Sequence, residues 1–323
     1  QHNSVSITAA GTADQITLSD ATGAAVTFDA GAEATDDTIT ITGHGLSTGD
    51  AVVYRAPVGE TAVGGLVSGT VYYSIVVDED TVKLAASYDD ALGDTAIDLT
   101  AGATGTGHSL SSVIVAADNV ETYVLADGTN ELRVNANELD VDVTGGTGAD
   151  TVSVAGLDVG GTYALAAGSN VVDLGTGANI ADATITATGG TYAINLLDGA
   201  SVTMAVSQHT GASGITGAGG TEQITLSDDG TLTGDSDVET YVLAAAGGSA
   251  ITLGAAGQNV TTGGAGDTVD FAGFTATGVI NTVAADTLVL DEGADISGVD
   301  GEGVDGGAFD ANNMTLTTER VGG

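Results

Sequence analysis

There is no cysteine in this chain of 323 residues, no tryptophan, and only one proline. Without cysteine, neither a disulfide nor a thiolate metal site can form. Basic residues are scarce too: four Lys and Arg stand against 44 Asp and Glu, a formal net charge of −40. Such a polyanion repels nucleic acid and anionic lipid headgroups, so neither is expected as a partner. No apolar run reaches the roughly 18 residues of a membrane span, so no membrane insertion is expected. The opening QHNSVSITAAG is polar and does not read as a signal peptide. No segment sustains an apolar stripe of helical period, so helices are not expected. The sequence has no G-x-S-x-G elbow, P-loop or H-E-x-x-H, and no carboxylate pair stands out among so many acids. Enzymatic activity is therefore not expected.

Small residues take the place of what is missing. There are 51 glycines, and the 42% apolar fraction leans on Ala and Val. Small side chains and glycine turns suit repetitive β structure better than a bulky core. Apolar clusters centre near Val124, Val134, Val141, Val152, Leu165, Val172, Ile185, Ile194 and Val202, about ten residues apart. Short strands at this spacing predict an all-β fold, a Gly/Asp-rich β-solenoid or a stacked β-sandwich.

The chain also repeats itself. VETYVLA occurs as Val120–Ala126 and again as Val238–Ala244. QITLSD precedes both, as Gln15–Asp20 and Gln223–Asp228, and TGGTGADTVSVAGL (144–157) is answered by TGGAGDTVDFAGF (262–274). The offset between copies falls from 208 at QITLSD to 118 at VETYVLA, so the first copy carries about 90 extra residues. We read two tandem units of about 118 residues, the first discontinuous over 1–29 and 116–207 and the second over 208–323. A separate β domain, residues 30–115, is inserted in the first; loop insertion is tolerated where the insert's ends lie close together.

The insert holds Tyr54, Tyr72, Tyr73 and Tyr88, the lone Pro57, and two of the four basic residues, Arg55 and Lys83. Strands are expected at 37–42, 50–56, 95–99 and 108–115, with a hairpin over 71–87 turning at 78–80. His44 and His108 bracket the insert, and a hydrogen-bonded pair is expected rather than zinc, which needs more ligands. His2 and His209 open the two units and read as repeat features.

GGTGADTVS (Gly145–Ser153) fits the nonapeptide G-G-x-G-x-D-x-U-x. It resembles the calcium-binding repeat of RTX proteins, which are exported bacterial proteins. The resemblance implies calcium held by glycine-turn carbonyls and the aspartate carboxylate: Gly145, Gly146, Gly148 and Asp150, with Val152 turned to the core. The second copy, GGAGDTVDF, is one residue short, and offers Gly263, Gly264 and Asp267. One turn cannot supply the six to eight oxygens calcium takes, and no consecutive run of nonapeptides follows. The acidic stretch DEGADISGVDGEGVDGG (291–307) adds Asp291, Asp295 and Asp300 as candidate ligands, although it lacks EF-hand spacing. Bound calcium would also offset the self-repulsion of so many carboxylates; the plainer alternative is that they serve solubility.

NVETYVLADG (119–128) followed by TGGTGADTV (144–152) is similar to repeats of bacterial S-layer and giant surface-adhesin proteins. HGLSTGDAVVY (44–54), GTVYYSIVVDEDTVKLA (69–85) and AIDLTAGATGTGHSL (96–110) resemble a module of bacterial surface and phage tail proteins. These resemblances imply an extracellular, cell-surface structural protein, stabilised by calcium, whose partner is itself in a head-to-tail homopolymer forming a filament, sheath or S-layer. The alternative they imply is the stalk of a calcium-dependent adhesin, with a cell-surface glycan as ligand of the insert.

Overall fold

The computed structural model describes residues 14–18, 25–35, 37–57, 59–100, 103–117, 120–134, 139–217, 219–274, 277–283, 285–290 and 314–318. Stacked parallel strands form a β-solenoid of about eight turns, with 43% strand and 5% helix. The chain divides into two compact units, one built mainly from residues 1–153 and the other mainly from 191–323.

In the first unit, the strands Gln15–Thr17, Thr122–Val124 and Asp142–Thr144 lie side by side in one parallel ladder. Ile114–Val115, Asn130–Arg133 and Asp150–Val154 form another. Thr122 faces Asp142 and Asn130 faces Asp150, so one turn takes 20 residues and contributes two strands. The ten-residue spacing of apolar clusters is therefore half a turn. Alternation sets the faces: in Thr122–Val124 only Tyr123 is fully buried, and in Asp142–Thr144 only Val143.

The second unit is built the same way. One ladder runs Ser201–Met204, Gln223–Leu226, Thr240–Val242, Asn259–Thr261 and Ile280–Asn281. The other runs Thr231–Thr233, Ala250–Thr252, Thr268–Asp270, Asp286–Leu290 and Met314–Thr318. A short helix, Val206–Gly211, precedes the first full turn. Gln208 pins it: the side-chain amide donates to the carbonyls of Ile180 and Ala183, and its oxygen accepts the Ala205 amide.

The insert is a seven-stranded antiparallel sheet, against the parallel order of its host. Its first strand, Val26–Asp29, starts before residue 30, and Ile114–Val115 already pair in the solenoid. The expected hairpin is present as Val71–Asp78 against Thr81–Ala85. Residues 95–99 do not form a strand; the Ile97 amide donates to the Leu84 carbonyl at the sheet's margin. Among the described residues three short helices also occur, at Ala30–Glu33, Tyr88–Leu92 and Val206–Gly211, each too short to show an apolar stripe in sequence. The core joins Phe28, Ile39, Val52, Tyr54, Tyr72 and Leu84.

His44 and His108 are bonded separately rather than to each other. His44 accepts the Leu46 amide at Nδ1 and donates from Nε2 to the Asp78 carbonyl. Tyr54 accepts the Val63 amide and donates to His108 Nδ1 at 2.7 Å, and His108 Nε2 donates to the Thr104 carbonyl. Both imidazoles are thereby satisfied in the neutral form.

Two arginines clamp the insert to the solenoid strand Asn130–Arg133. Arg55 meets Glu131 through two parallel bonds of 3.0 and 2.7 Å. Arg133 donates to the Gly69 carbonyl at 2.7 Å. In a chain with four basic residues, two are spent on this joint.

Candidate metal centre at the glycine corners

The repeated heptad has the same contacts in both copies. Val120 and Val238 are buried, as are Leu125 and Leu243. Glu121 Oε2 accepts the Asp14 amide at 2.7 Å, and Glu239 Oε2 accepts the Glu222 amide at 2.9 Å. Each bond ties one turn to the one before. Tyr123 is fully buried and its hydroxyl accepts the Ala117 amide at 2.6 Å; Tyr241 likewise accepts the Asp235 amide at 2.8 Å. The Tyr241 proton is then free for His209 Nε2, 3.0 Å away, and burial pushes that imidazole below its usual range.

The heptad's last residue sets up the glycine corner of the following turn. A Cβ on Gly146 would collide with the Ala126 carbonyl, and one on Gly263 with the Ala244 carbonyl. Gly148 has φ 140°, with the Gly128 carbonyl against it, so a side chain there meets both strain and collision. The Gly145 amide donates to the Ala164 carbonyl. Gly264 packs its backbone against that of Gly247. On the outside, Asp127 accepts both the amide and the hydroxyl of Thr147, which hold its carboxyl below the usual range.

The two aspartates differ. Asp150 is fully buried in a polar ladder with Asn130 and Asn170, one per turn. Asn130 Nδ2 donates to Asp150 Oδ1 at 2.7 Å, and the Asp150 amide donates to Asn170 Oδ1 at 3.0 Å. Asp150 Oδ2 and Asn130 Oδ1 have no hydrogen-bond partner. Burial pushes the Asp150 carboxyl up; Asn130 and the nearby Gly146 amide pull it down, and Asp127 adds to the rise.

Asp267 is equally buried but saturated. Oδ1 accepts the amides of Gly248 and Ser249, and Oδ2 that of Gly263, at 2.7 to 3.0 Å. Asp286, one turn on, repeats this with the amides of Gly266, Asp267 and Val283 and the Thr262 hydroxyl.

Calcium fits these corners unequally. The Asp150 corner has two spare buried oxygens of the type calcium prefers, fewer than it needs. At Asp267 a cation would have to displace three amide donors. Among the described residues, no three His, Asp or Glu side chains converge as a metal-ligand set. Asp291, Asp295 and Asp300 lie outside the described residues.

One acidic pair was not singled out from the sequence. Glu222 is buried, accepts the amides of Gly199, Gly220 and Thr221 on its side chain, and donates its own amide to Glu239 Oε2. Burial pushes the Glu239 carboxyl up and Glu222 adds to the rise, whereas the Glu222 carboxyl, though raised by burial, is held below its usual range by Glu239 and its amide donors. The signal was there, since Asp14 and Glu121 occupy the equivalent stations of the first copy.

Together the parallel ladders and glycine corners define a β-solenoid repeat protein, an architecture compatible with repeat surface proteins. No protein-family model, curated protein or solved structure matches the chain.

Proposed function

We propose that this chain is a structural protein that assembles with copies of itself, as the subunit of an extracellular filament, sheath or S-layer. The observation that carries the reading is the heptad: its glutamate bonds one turn to the turn before, its tyrosine holds a corner amide six residues back, and both bonds are kept in both copies. A chain whose repeated residues are devoted to stacking is suited to extension by further stacking. Calcium is the proposed stabilising ion, with the Asp150 corner and the acidic stretch 291–307 as its sites. Sedimentation velocity in excess calcium and then in excess EGTA tests this. Large species in calcium that shrink in EGTA are expected; a monomer in both, at every protein concentration, overturns it.

The second reading, an adhesin stalk, is favoured by one feature of the clamped insert. Tyr73 and Tyr88 pack edge to face at 6.3 Å beside exposed Leu92, with Tyr88 41% exposed. An exposed aromatic suits a sugar face. A glycan array that reads nothing above background with the intact protein removes this reading.

A further inference from the structure

The helix Tyr88–Leu92 turns two large apolar side chains outward on one face. Tyr88 and Leu92, four residues apart, lie side by side and are 41% and 58% exposed. Ala91 of the same helix is buried against Ile75 and Ala85, which anchors it to the sheet. The Tyr88 ring is seated. Gly49 has φ 94°, and a Cβ there would stand 2.7 Å from the ring, so the ring lies directly on that backbone. Tyr73 meets it edge to face. The exposed part of the ring is therefore a preset platform that loses little freedom on binding.

Carboxylates border this platform. Asp89 and Asp94 are exposed, and Asp89 neighbours Leu92 on the helix surface. Asp90 is turned to the helix cap, where it accepts the Ser87 hydroxyl. Of the insert's basic residues, Arg55 is engaged with Glu131 and Lys83 is half-buried.

We propose that the platform binds a hexosamine that carries a free ammonium group. The proposal rests on the adhesin reading above and names its ligand class. The C–H face of the pyranose lies on Tyr88, flanked by Leu92. The ammonium pairs with Asp89 and lies within reach of the negative face of the ring. Uronic and sialic acids would bring a carboxylate to a chain of net charge −40, which repels them. An N-acetylated sugar fits the ring but offers Asp89 no charge to pair.

Isothermal titration of the intact protein at physiological salt, with the trimers of glucosamine, N-acetylglucosamine and galacturonic acid, tests this. The glucosamine trimer should bind, the N-acetylated one about tenfold more weakly, and the acidic one not at all. Tyr88→Ala should weaken glucosamine binding about tenfold, and Tyr88→Phe, which keeps the ring, should retain it. Asp89→Asn should cost about threefold. Asp182→Asn removes an exposed charge of the solenoid instead and should change nothing. Equal losses in Asp89→Asn and Asp182→Asn, or none in Tyr88→Ala, would mean diffuse attraction to a polyanion and overturn the site. Preference for the N-acetylated or the acidic trimer would overturn the ligand class and leave the adhesin reading standing. Binding of none of the three would overturn the proposal, and a blank glycan array besides would remove the adhesin reading with it.

Discussion

Two corners of this solenoid occupy equivalent places after equivalent heptads, yet they use their aspartate in opposite ways. Asp267 gathers three backbone amides and has no oxygen to spare. Asp150 holds one carboxamide and keeps an unpartnered oxygen in a fully buried position. The difference comes from the preceding turn. There the first copy has Asn130, which reaches across with its side chain; the second has Ser249, whose own amide meets the carboxylate. A sequence motif built on glycine and aspartate thus defines a backbone path, but the residue one turn earlier decides whether its carboxylate is a structural acceptor or has a vacant site.

The two corners should fail together when the path itself is blocked. Gly146→Val and Gly263→Val each drive a side chain into the carbonyl of the turn below. Each should cost roughly 3–5 kcal/mol. Chemical denaturation of both proteins measures it; a large loss in one and none in the other would break the equivalence of the corners.

They should separate when the carboxylate is neutralised. Asp267→Asn sets an amide group against the Gly263 amide and should cost about 2–3 kcal/mol. Asp150→Asn keeps the acceptor for Asn130 and removes a buried charge that has one oxygen without a partner, so its stability should stay within about 0.5 kcal/mol of the parent or exceed it. Equal losses in the two variants would mean that the corners are chemically alike.

The tyrosines extend the comparison at a smaller scale. Tyr123→Phe and Tyr241→Phe each strand a backbone amide and should cost about 1–2 kcal/mol. Tyr163 is also fully buried, but its hydroxyl has no partner, and burial pushes its ionisation far above the ordinary range. Tyr163→Phe should therefore be neutral or mildly stabilising. A loss there matching the other two would show that the hydroxyl is bonded in solution.

Much of this was legible from the residues. VETYVLA announced its own importance, and the ten-residue apolar spacing marked the strands. Pairing was harder to read: that residues 20 apart stack depends on two strands per turn, which spacing alone does not state. The insert's parallel-versus-antiparallel contrast lay in its tight hairpin and its larger side chains. The Arg55–Glu131 clamp was hidden because Glu131 is one acid among 44, although the scarcity of arginine could have pointed to its partner. His44 and His108 do not pair because each ring has one nitrogen on nearby backbone and the other on a distant partner, the Asp78 carbonyl and the Tyr54 hydroxyl, which sequence distance does not reveal.

The smallest effect is the pH dependence of Asp150. Its carboxyl titrates higher in the folded chain than in the unfolded one, chiefly through burial. Below the unfolded value both states hold the proton, and burial of the acid carries no ionic penalty. As the pH rises through the unfolded and then the folded value, the unfolded chain releases its proton first, and the penalty grows to its full size. The wild type should therefore gain on Asp150→Asn as pH falls from neutral into the ordinary carboxylate range, in calcium-free buffer. Groups such as Asp127 act the other way: their stabilisation disappears as pH falls through a depressed folded value, but they do so in both proteins and cancel. Melting curves of the pair across that range isolate the one residue. A difference that does not change with pH would mean that Oδ2 is satisfied in solution, and the two corners would then be more alike than their hydrogen bonds indicate.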